Sequence, residues 1–292
     1  MKPATFEYLA PTSVEEALTL LQQYGPEAKV LAGGQSLVPA MNFRLAQPGV
    51  LIALDRIDSL SGIHATGDGG VRIGAMTRQR AVERSPMIAS RVPLLAEAMP
   101  FVAHAPIRNR GTVGGSLAHA DPAGELPAVM VALDARLRLR KLEQERWIQA
   151  GDFFLGLFTT ALEPGELLVE IEIPPAGPGS GSAFLEVARR HGDYALAGLA
   201  GQVSVDGAGR CRVPRAVLFG VSEGPLKVEA AGALVGEVPS PERIAAVAEQ
   251  LKLELDPPGD IHASPDYRRH LAGVLVRRGL TLAFDRARGS KA

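Results

Sequence analysis

The residues whose types and spacing could do chemistry fall into two glycine clusters. The longer is Ile107-Arg108-Asn109-Arg110-Gly111-Thr112-Val113-Gly114-Gly115-Ser116-Leu117-Ala118-His119-Ala120-Asp121-Pro122, and Ala32-Gly33-Gly34-Gln35-Ser36 precedes it. Glycines lack the side chain that would keep a ligand off the backbone, so such loops can offer bare N–H groups to an anion such as phosphate. A hydrogen bond to a charged group contributes about 1.5–3 kcal/mol, so four on a diphosphate would supply roughly 6–12 kcal/mol. Immobilising a ligand costs about 4–15 kcal/mol, so tight binding also needs a large flat ring system buried alongside. Neither cluster runs into the Gly-Lys-Ser/Thr of a P-loop or forms Gly-x-Gly-x-x-Gly. On residue types alone, a cofactor site and two structural turns fit equally.

Other chemistries find less support. His104, His119 and His191 show no paired metal-ligand spacing, so no metal site is expected. No acid or base is singled out as catalytic. The single Cys211 excludes an internal disulfide and suits a cytoplasmic protein. It also excludes a self-contained iron–sulfur cluster, which needs about four thiolates. A formal net charge of −1 gives no reason to expect nucleic acid or an anionic membrane as partner. No apolar run approaches the roughly 18 to 20 residues of a membrane span, and the N-terminus lacks the apolar core of a signal peptide.

The elements that must position these clusters are legible in outline. At 292 residues the chain is long for one core, so two domains are expected. Ser13-Val14-Glu15-Glu16 reads as a capping box opening a helix that Gly25-Pro26 ends near Tyr24. Ala28 to Ala32 is a short strand feeding Gly33-Gly34; a helix to about Leu45 and a buried strand from Val50 to Leu54 follow. Ser61–Ala65 and Val71–Ala75 alternate about Gly67-Asp68-Gly69-Gly70 as a hairpin, Thr77 can cap a helix to Arg84, and Pro93–Val102 is helical. The long glycine cluster then reads as a loop between apolar helices, the second from Glu125 to Leu133. Alternation marks strands at Ala135–Leu142 and Leu167–Ile173. Pro174 to Ser182 is a linker by composition. Beyond it lie three antiparallel strands (Ala183–Ala188, Ala195–Val205, Cys211–Val221), a helix over Pro241–Leu251, and another opened by Ser264-Pro265 with Leu271, Val274, Leu275 and Leu282 on its apolar face. Trp147 reads as core or interface.

Four segments stand in an order and spacing that resemble one family: Ala32-Gly33-Gly34-Gln35-Ser36-Leu37, Arg108 to Ser116, Asp121-Pro122-Ala123, and Arg189-Arg190-His191-Gly192-Asp193-Tyr194-Ala195. The chain looks like the FAD-binding medium subunit of the molybdenum hydroxylases, as in the carbon monoxide dehydrogenase medium chain and the flavin domain of xanthine dehydrogenase. The resemblance spans essentially the whole chain. It implies an α+β fold: a two-part FAD-binding domain of the PCMH (vanillyl-alcohol-oxidase-like) type over residues 1–176, split near 57, and a C-terminal domain of a three-stranded antiparallel sheet and helices over 177–292.

The resemblance also implies site roles. Leu31, Ala32, Gly33, Gly34, Gln35, Ser36, Leu37 and Val38 match the first flavin loop, whose backbone holds the pyrophosphate. Gly111, Thr112, Val113, Gly114, Gly115 and Ser116 match the second. Asp121 and Glu125 fall where the family contacts the sugar portions, Leu162 where it has an apolar contact, and Tyr194 where an aromatic lies close to the isoalloxazine. Asp121 is also placed to cap a turn before Pro122, and Tyr194 to be a strand-edge aromatic. Gln35 stands where covalent flavoproteins of the wider superfamily often carry His, which implies non-covalent FAD. Arg108 and Arg110 are expected to brace the loop or meet a partner.

The chain would then be an electron-transfer oxidoreductase subunit, with [2Fe-2S] clusters and molybdopterin on a small and a large partner chain, as a dimer of heterotrimers. A stand-alone FAD oxidoreductase and a cofactor-free scaffold are the alternatives. Gly114→Val is expected to abolish FAD retention by placing a Cβ where the ligand approaches.

Overall fold

The computed structural model describes residues 2–289 of the chain. Its first unit comprises β1 (Glu7–Leu9), α1 (Val14–Tyr24), β2 (Ala28–Leu31), α2 (Leu37–Asn42) and β3 (Val50–Ala53), with the strands parallel in the order β1-β3-β2. Helix α1 starts as its sequence dictates, the Ser13 hydroxyl accepting from the Glu16 N–H at 3.1 Å. The reciprocal half of the box falls one residue early, because the Glu16 carboxylate accepts from the Thr12 N–H instead. Gly25 ends the helix at φ 50°, its N–H bonded to the Leu21 carbonyl. Val14, Ala17, Leu18 and Leu21 pack on Val50 and Ile52.

The second unit carries β4 (Ile63–Ala65), β5 (Val71–Gly74), α3 (Gln79–Glu83), α4 (Pro86–Arg91), α5 (Pro93–Ala98), α6 (Ala105–Arg110), α7 (Val113–His119), α8 (Glu125–Ala132), β6 (Arg136–Lys141), β7 (Gln144–Gln149), α9 (Ala150–Phe153), β8 (Phe154–Gly156), β9 (Thr159–Thr160) and β10 (Leu167–Ile173). Its five-stranded sheet runs β4-β5-β10-β6-β7, antiparallel throughout, and β8 pairs with β9 in a separate small hairpin. Strand β7 escaped the sequence reading because it is an edge strand of mostly polar residues; Trp147 on it is part-exposed under the Arg136 guanidinium, 5.2 Å from the ring centre.

Three expectations change here. Thr77 does not cap α3: its hydroxyl is spent on Gly62, donating to the carbonyl and accepting from the N–H, and Arg78 takes the cap position without a side-chain bond. The helix from Pro93 ends at Ala98 and passes into a 3₁₀ turn over Met99–Phe101. The long glycine cluster is not a loop but two short helices, α6 and α7, joined at Gly111-Thr112. Glycine costs about 1 kcal/mol in a helix. The Thr112 cap and bonds from Val113 N–H to the Thr77 carbonyl and Gly114 N–H to the Ala75 carbonyl offset that cost.

The third unit is β11 (Ser180–Ala188), β12 (Ala195–Val205), β13 (Cys211–Phe219), β14 (Leu226–Lys227), α10 (Pro241–Glu254) and α11 (Pro265–Gly289). The sheet is four-stranded and antiparallel, the short β14 adding an edge to the three strands expected, and β11 takes in Ser180–Ser182 from the segment read as linker. One face packs on α10 and α11; the other, through Phe184, Ala195, Ala200, Val217 and Phe219, joins the core of the second unit. Leu271 and Leu275 of α11 are buried, whereas Leu282 is exposed and Leu280, Ala283 and Phe284 line the core near it. Among the described residues no helix is long and apolar enough to cross a membrane.

One buried cation ties this unit to the glycine cluster. Arg268, 6% exposed, donates to the carbonyls of Leu196 and Gly220 and to Asp260, each at 2.6 Å. The N–H of Gly220 in turn donates to the Pro122 carbonyl at 2.8 Å. Breaking a buried charge network costs about 3–5 kcal/mol. Arg268→Met is therefore expected to lower unfolding free energy by about 3 kcal/mol, read from a urea melt.

Candidate functional site

The two glycine segments meet. A Cβ on Gly33 would lie 2.5 Å from the Arg110 carbonyl oxygen and 2.7 Å from the Gly111 Cα; one on Gly115 would lie 3.2 Å from the Ala32 Cβ. Backbone therefore touches backbone, and only glycine at 33 allows it. Arg78 fixes the far side, its guanidinium donating to the same Arg110 carbonyl while the Gln79 N–H donates to the Gly111 carbonyl at 2.9 Å.

The segments use their backbone donors in opposite ways. From Gly33 through Gly34, Gln35 and Ser36 to Leu37, no N–H has an acceptor among the described residues. The chain there turns through Gly34 at φ 73° into the first turn of α2, and the Gln35 amide nitrogen donates to the Gly33 carbonyl at 3.0 Å, holding the turn shut. Successive amides freed by such a turn form a concave anion-binding nest. In the second segment Gly111, Val113, Gly114, Gly115 and Ser116 all spend their N–H groups on protein acceptors, leaving only the Thr112 amide without one. The hydroxyls of Ser36 and Ser116, which have no partner among the described residues, complete the donor set. This set fits a diphosphate, five free amides coming from the first segment and one from the second.

Gly114 thus has a different role from the one expected. Its Cβ would lie 2.5 Å from the Ala75 Cβ and 2.8 Å from the Ala75 backbone, so it faces β5 and not a ligand. Val at 114 would break the seat of α7 whatever the site holds.

The remaining expected residues gather beyond α7. Ala120, buried and left-handed at φ 51°, ends that helix and swings the chain to Asp121, whose carboxylate accepts from the Ala123 N–H at 2.9 Å. Asp121 does cap this turn, as the residue-type reading allowed. Glu125 stands in the first turn of α8. Burial pushes its carboxyl up to about 7; the Asp121 charge adds to the rise, while its own amide and Arg108 oppose it. Tyr194, 72% exposed in the turn just before β12, has its hydroxyl pushed up by partial burial and by the Asp121 and Glu125 carboxylates. Leu162 packs at the edge of the second unit's core.

Two residues here had no signal in the sequence. Glu186 on β11 shares the face of Phe184, which enters the core of the second unit. Burial, then repulsion from Glu125, pushes its carboxyl up to about 8, and its Oε2 is buried without a hydrogen-bond partner. Glu83 accepts both nitrogens of the buried Arg108 fork, at 3.0 and 3.2 Å, and Arg80 at 2.7 Å. Burial works against its ionised form, but those bonds hold its carboxyl below the usual range. Arg108 also donates to the Val102 and Ala103 carbonyls, so it braces α6, as expected of a structural arginine. Cys211 is buried, and burial pushes its thiol up to about 11, which leaves no nucleophilic thiolate.

Comparison with known proteins places the chain closely. The family described as the FAD binding domain in molybdopterin dehydrogenase matches residues 4–176, and the CO dehydrogenase flavoprotein C-terminal domain matches residues 182–283. The chain is 42% identical to the 6-hydroxypseudooxynicotine dehydrogenase complex subunit alpha of Paenarthrobacter nicotinovorans, over 100% of this chain and 98% of that one. It is 40% identical to the carbon monoxide dehydrogenase medium chain of Hydrogenophaga pseudoflava, over 98% and 99% respectively. A solved structure of carbon monoxide dehydrogenase from that organism, lacking the Mo-pyranopterin moiety, superimposes at a TM-score of 0.95 with 41% identity, covering 98% of this chain and 99% of its own.

Two measurements test this geometry. Gly33→Ala should lower stability by about 1–3 kcal/mol through forced separation of the two segments, read from a denaturant midpoint. These two carboxyls set a pH trend: their folded pKa values, about 7 for Glu125 and about 8 for Glu186, lie above the ordinary carboxyl value of 4.5. The native state therefore binds more protons than the unfolded chain between those limits, and its stability falls as pH rises from about 4.5 to about 8. Glu186→Gln should consequently raise the melting temperature relative to the parent at pH 8.5 and give no such gain at pH 4.5.

Proposed function

This chain belongs to the FAD-binding medium subunits of the molybdenum hydroxylase family, and we propose that the amides from Gly33 to Leu37 are its principal grip on the FAD diphosphate. It is the flavoprotein subunit of a molybdenum-containing dehydrogenase complex, an oxidoreductase component that works with a small iron–sulfur subunit and a large molybdenum subunit. Bound FAD supplies electron carriage from the iron–sulfur centres of a partner chain to an external acceptor.

What this chain's residues do follows from the donor set. The observation that carries the reading is the run of amides from Gly33 to Leu37 with no acceptor among the described residues, pressed against Arg110 and Gly111. These amides would face phosphate oxygens; Leu31, Ala32 and Val38 flank them, and Gly111 to Ser116 would close the opposite side with the Thr112 amide and the Ser116 hydroxyl. Asp121 and Glu125 would face the sugar portions, Leu162 would give an apolar contact, and Tyr194 would cover the ring from the third unit. No covalent link is proposed, since Gln35 is engaged with the Gly33 carbonyl. The functional division we propose is residues 1–176 for cofactor binding and 177–292 for closing the site. A dimer of heterotrimers in the cytoplasm is the assembly proposed; the relatives' names, medium chain and complex subunit, support a multi-subunit setting.

The native complex should be yellow, release its flavin on denaturation, and co-purify with a Cys-rich chain and a large molybdopterin chain; colourless folded protein that takes up no FAD would sink the reading. Position 34 supplies a charge test, since Asn and Asp tolerate the left-handed conformation there. Two charges at 4 Å interact by about 4 kcal/mol at an effective dielectric near 20. Gly34→Asp should therefore weaken FAD binding by about 100-fold or more, and Gly34→Asn by about tenfold at most, both by equilibrium titration.

A further inference from the structure

Arg78 stands where the two glycine segments meet, and its charge has no counter-ion. It bridges to Thr112 in an antiparallel crossing, flanked by bonds from the Gln79 N–H to the Gly111 carbonyl and from the Val113 N–H to the Thr77 carbonyl. That pattern makes Arg78 and Thr112 a non-hydrogen-bonded pair, their Cα atoms about 4.5 Å apart and the Thr112 N–H turned outward. The Arg78 guanidinium donates to the Arg110 carbonyl, whose oxygen is 2.5 Å from where a Cβ on Gly33 would lie. Its Nη1 is therefore within about 7 Å of the Gly33 Cα. One side chain thus neighbours the first free amide of one wall and the only free amide of the other. Among the described residues Arg78 makes no ion pair, and the Arg110 carbonyl is the one acceptor its guanidinium has. Asp55 is the only carboxylate lining the same cavity of about 480 Å³ between the first and second units, and it does not pair with Arg78. Arg80 and Arg108, by contrast, are both committed to Glu83.

We propose that Arg78 supplies the positive charge against which the FAD diphosphate is held, acting across the contact between Gly33 and Arg110. This rests on the FAD reading above. Any donor can satisfy a carbonyl at the end of a helix such as α6, so a cap alone does not call for arginine. What the guanidinium adds is a full and permanent charge. Backbone amides present only partial charges, whereas a diphosphate carries full ones into the cleft. By bonding the Arg110 oxygen, Arg78 also offsets the one carbonyl dipole that lies against Gly33. A charge about 7 Å away acts well inside the Debye length of about 20 Å at 0.02 M salt, and beyond the length of about 4 Å at 0.5 M. The contribution of Arg78 is therefore one that salt removes.

The test is a fluorescence titration of the full chain, freed of flavin, with FAD at about 0.02 M and about 0.5 M NaCl. It compares the parent with Arg78→Gln and Arg78→Lys, all checked by circular dichroism. Glutamine keeps a donor for the Arg110 carbonyl and loses the charge; lysine keeps both. The expected result is a Kd for Arg78→Gln about tenfold above the parent at low salt, closing to about twofold at high salt. Arg78→Lys should stay within about threefold of the parent at both. A cap and nothing more would make the two variants alike, or leave the same gap at both salt concentrations; either outcome overturns the counter-charge while leaving FAD binding intact. Should Arg78→Gln not fold, Arg78→Met decides by the same criterion. A parent chain that takes up no FAD at low salt overturns both this inference and the function it rests on.

Discussion

Everything in this fold turns on one contact, the meeting of Gly33 with the Arg110 carbonyl and Gly111. It joins the small parallel unit to the antiparallel one at a distance that excludes any side chain at position 33. Because the contact is backbone to backbone, it sets the relation of two segments far apart in the chain more tightly than side-chain packing could. Ala75 beneath Gly114 and Thr77 opposite Val113 then hold the second segment to β5. A cleft follows from these contacts, one wall with its amides free and the other with every amide but that of Thr112 bonded.

That asymmetry makes physical sense. A segment that must present its amides to a ligand forfeits them for its own stability, so something else has to hold it in place. Here the bonded segment does so: α7 has its N-terminal donors satisfied by Thr77, Ala75 and its own Thr112 cap, and can serve as a rigid back-stop. The third unit closes the arrangement through Arg268, Gly220 and Pro122, a chain of hydrogen bonds running from the core of α11 to the turn that carries Asp121. Glu97 adds a second tie, accepting from the Phe184 N–H at 3.1 Å and pairing with Arg286 at 2.6 Å.

Much of this was legible from residue types. Ser13 with Glu16, Gly25 with Pro26, and Ser264 with Pro265 placed helix ends correctly, because capping is a local matter decided by neighbours in the chain. The fully buried β3 and the long β12 were visible as apolar runs. Readings failed where a distant partner overrode a local preference. Thr77 had the chemistry of a helix cap, yet Gly62 claimed its hydroxyl. Gly114 and Gly115 looked like loop residues, yet cross-chain bonds made them helical. Strand β7 carried too few apolar residues to show alternation, since its exposed edge asks for none.

By itself the sequence determined the α+β class, the family and the two glycine segments, because glycine spacing, caps and apolar periodicity are properties of short stretches. Only the tertiary structure decided which segment keeps its amides free, since that depends on which acceptors the fold brings within reach. It alone buried the Glu186 Oε2 on the face of Phe184, because nothing local in a strand tells a carboxyl facing solvent from one facing another unit's core. The glycines were legible as two unusual segments; which of them keeps its amides free was settled by what lies on the other side of each backbone.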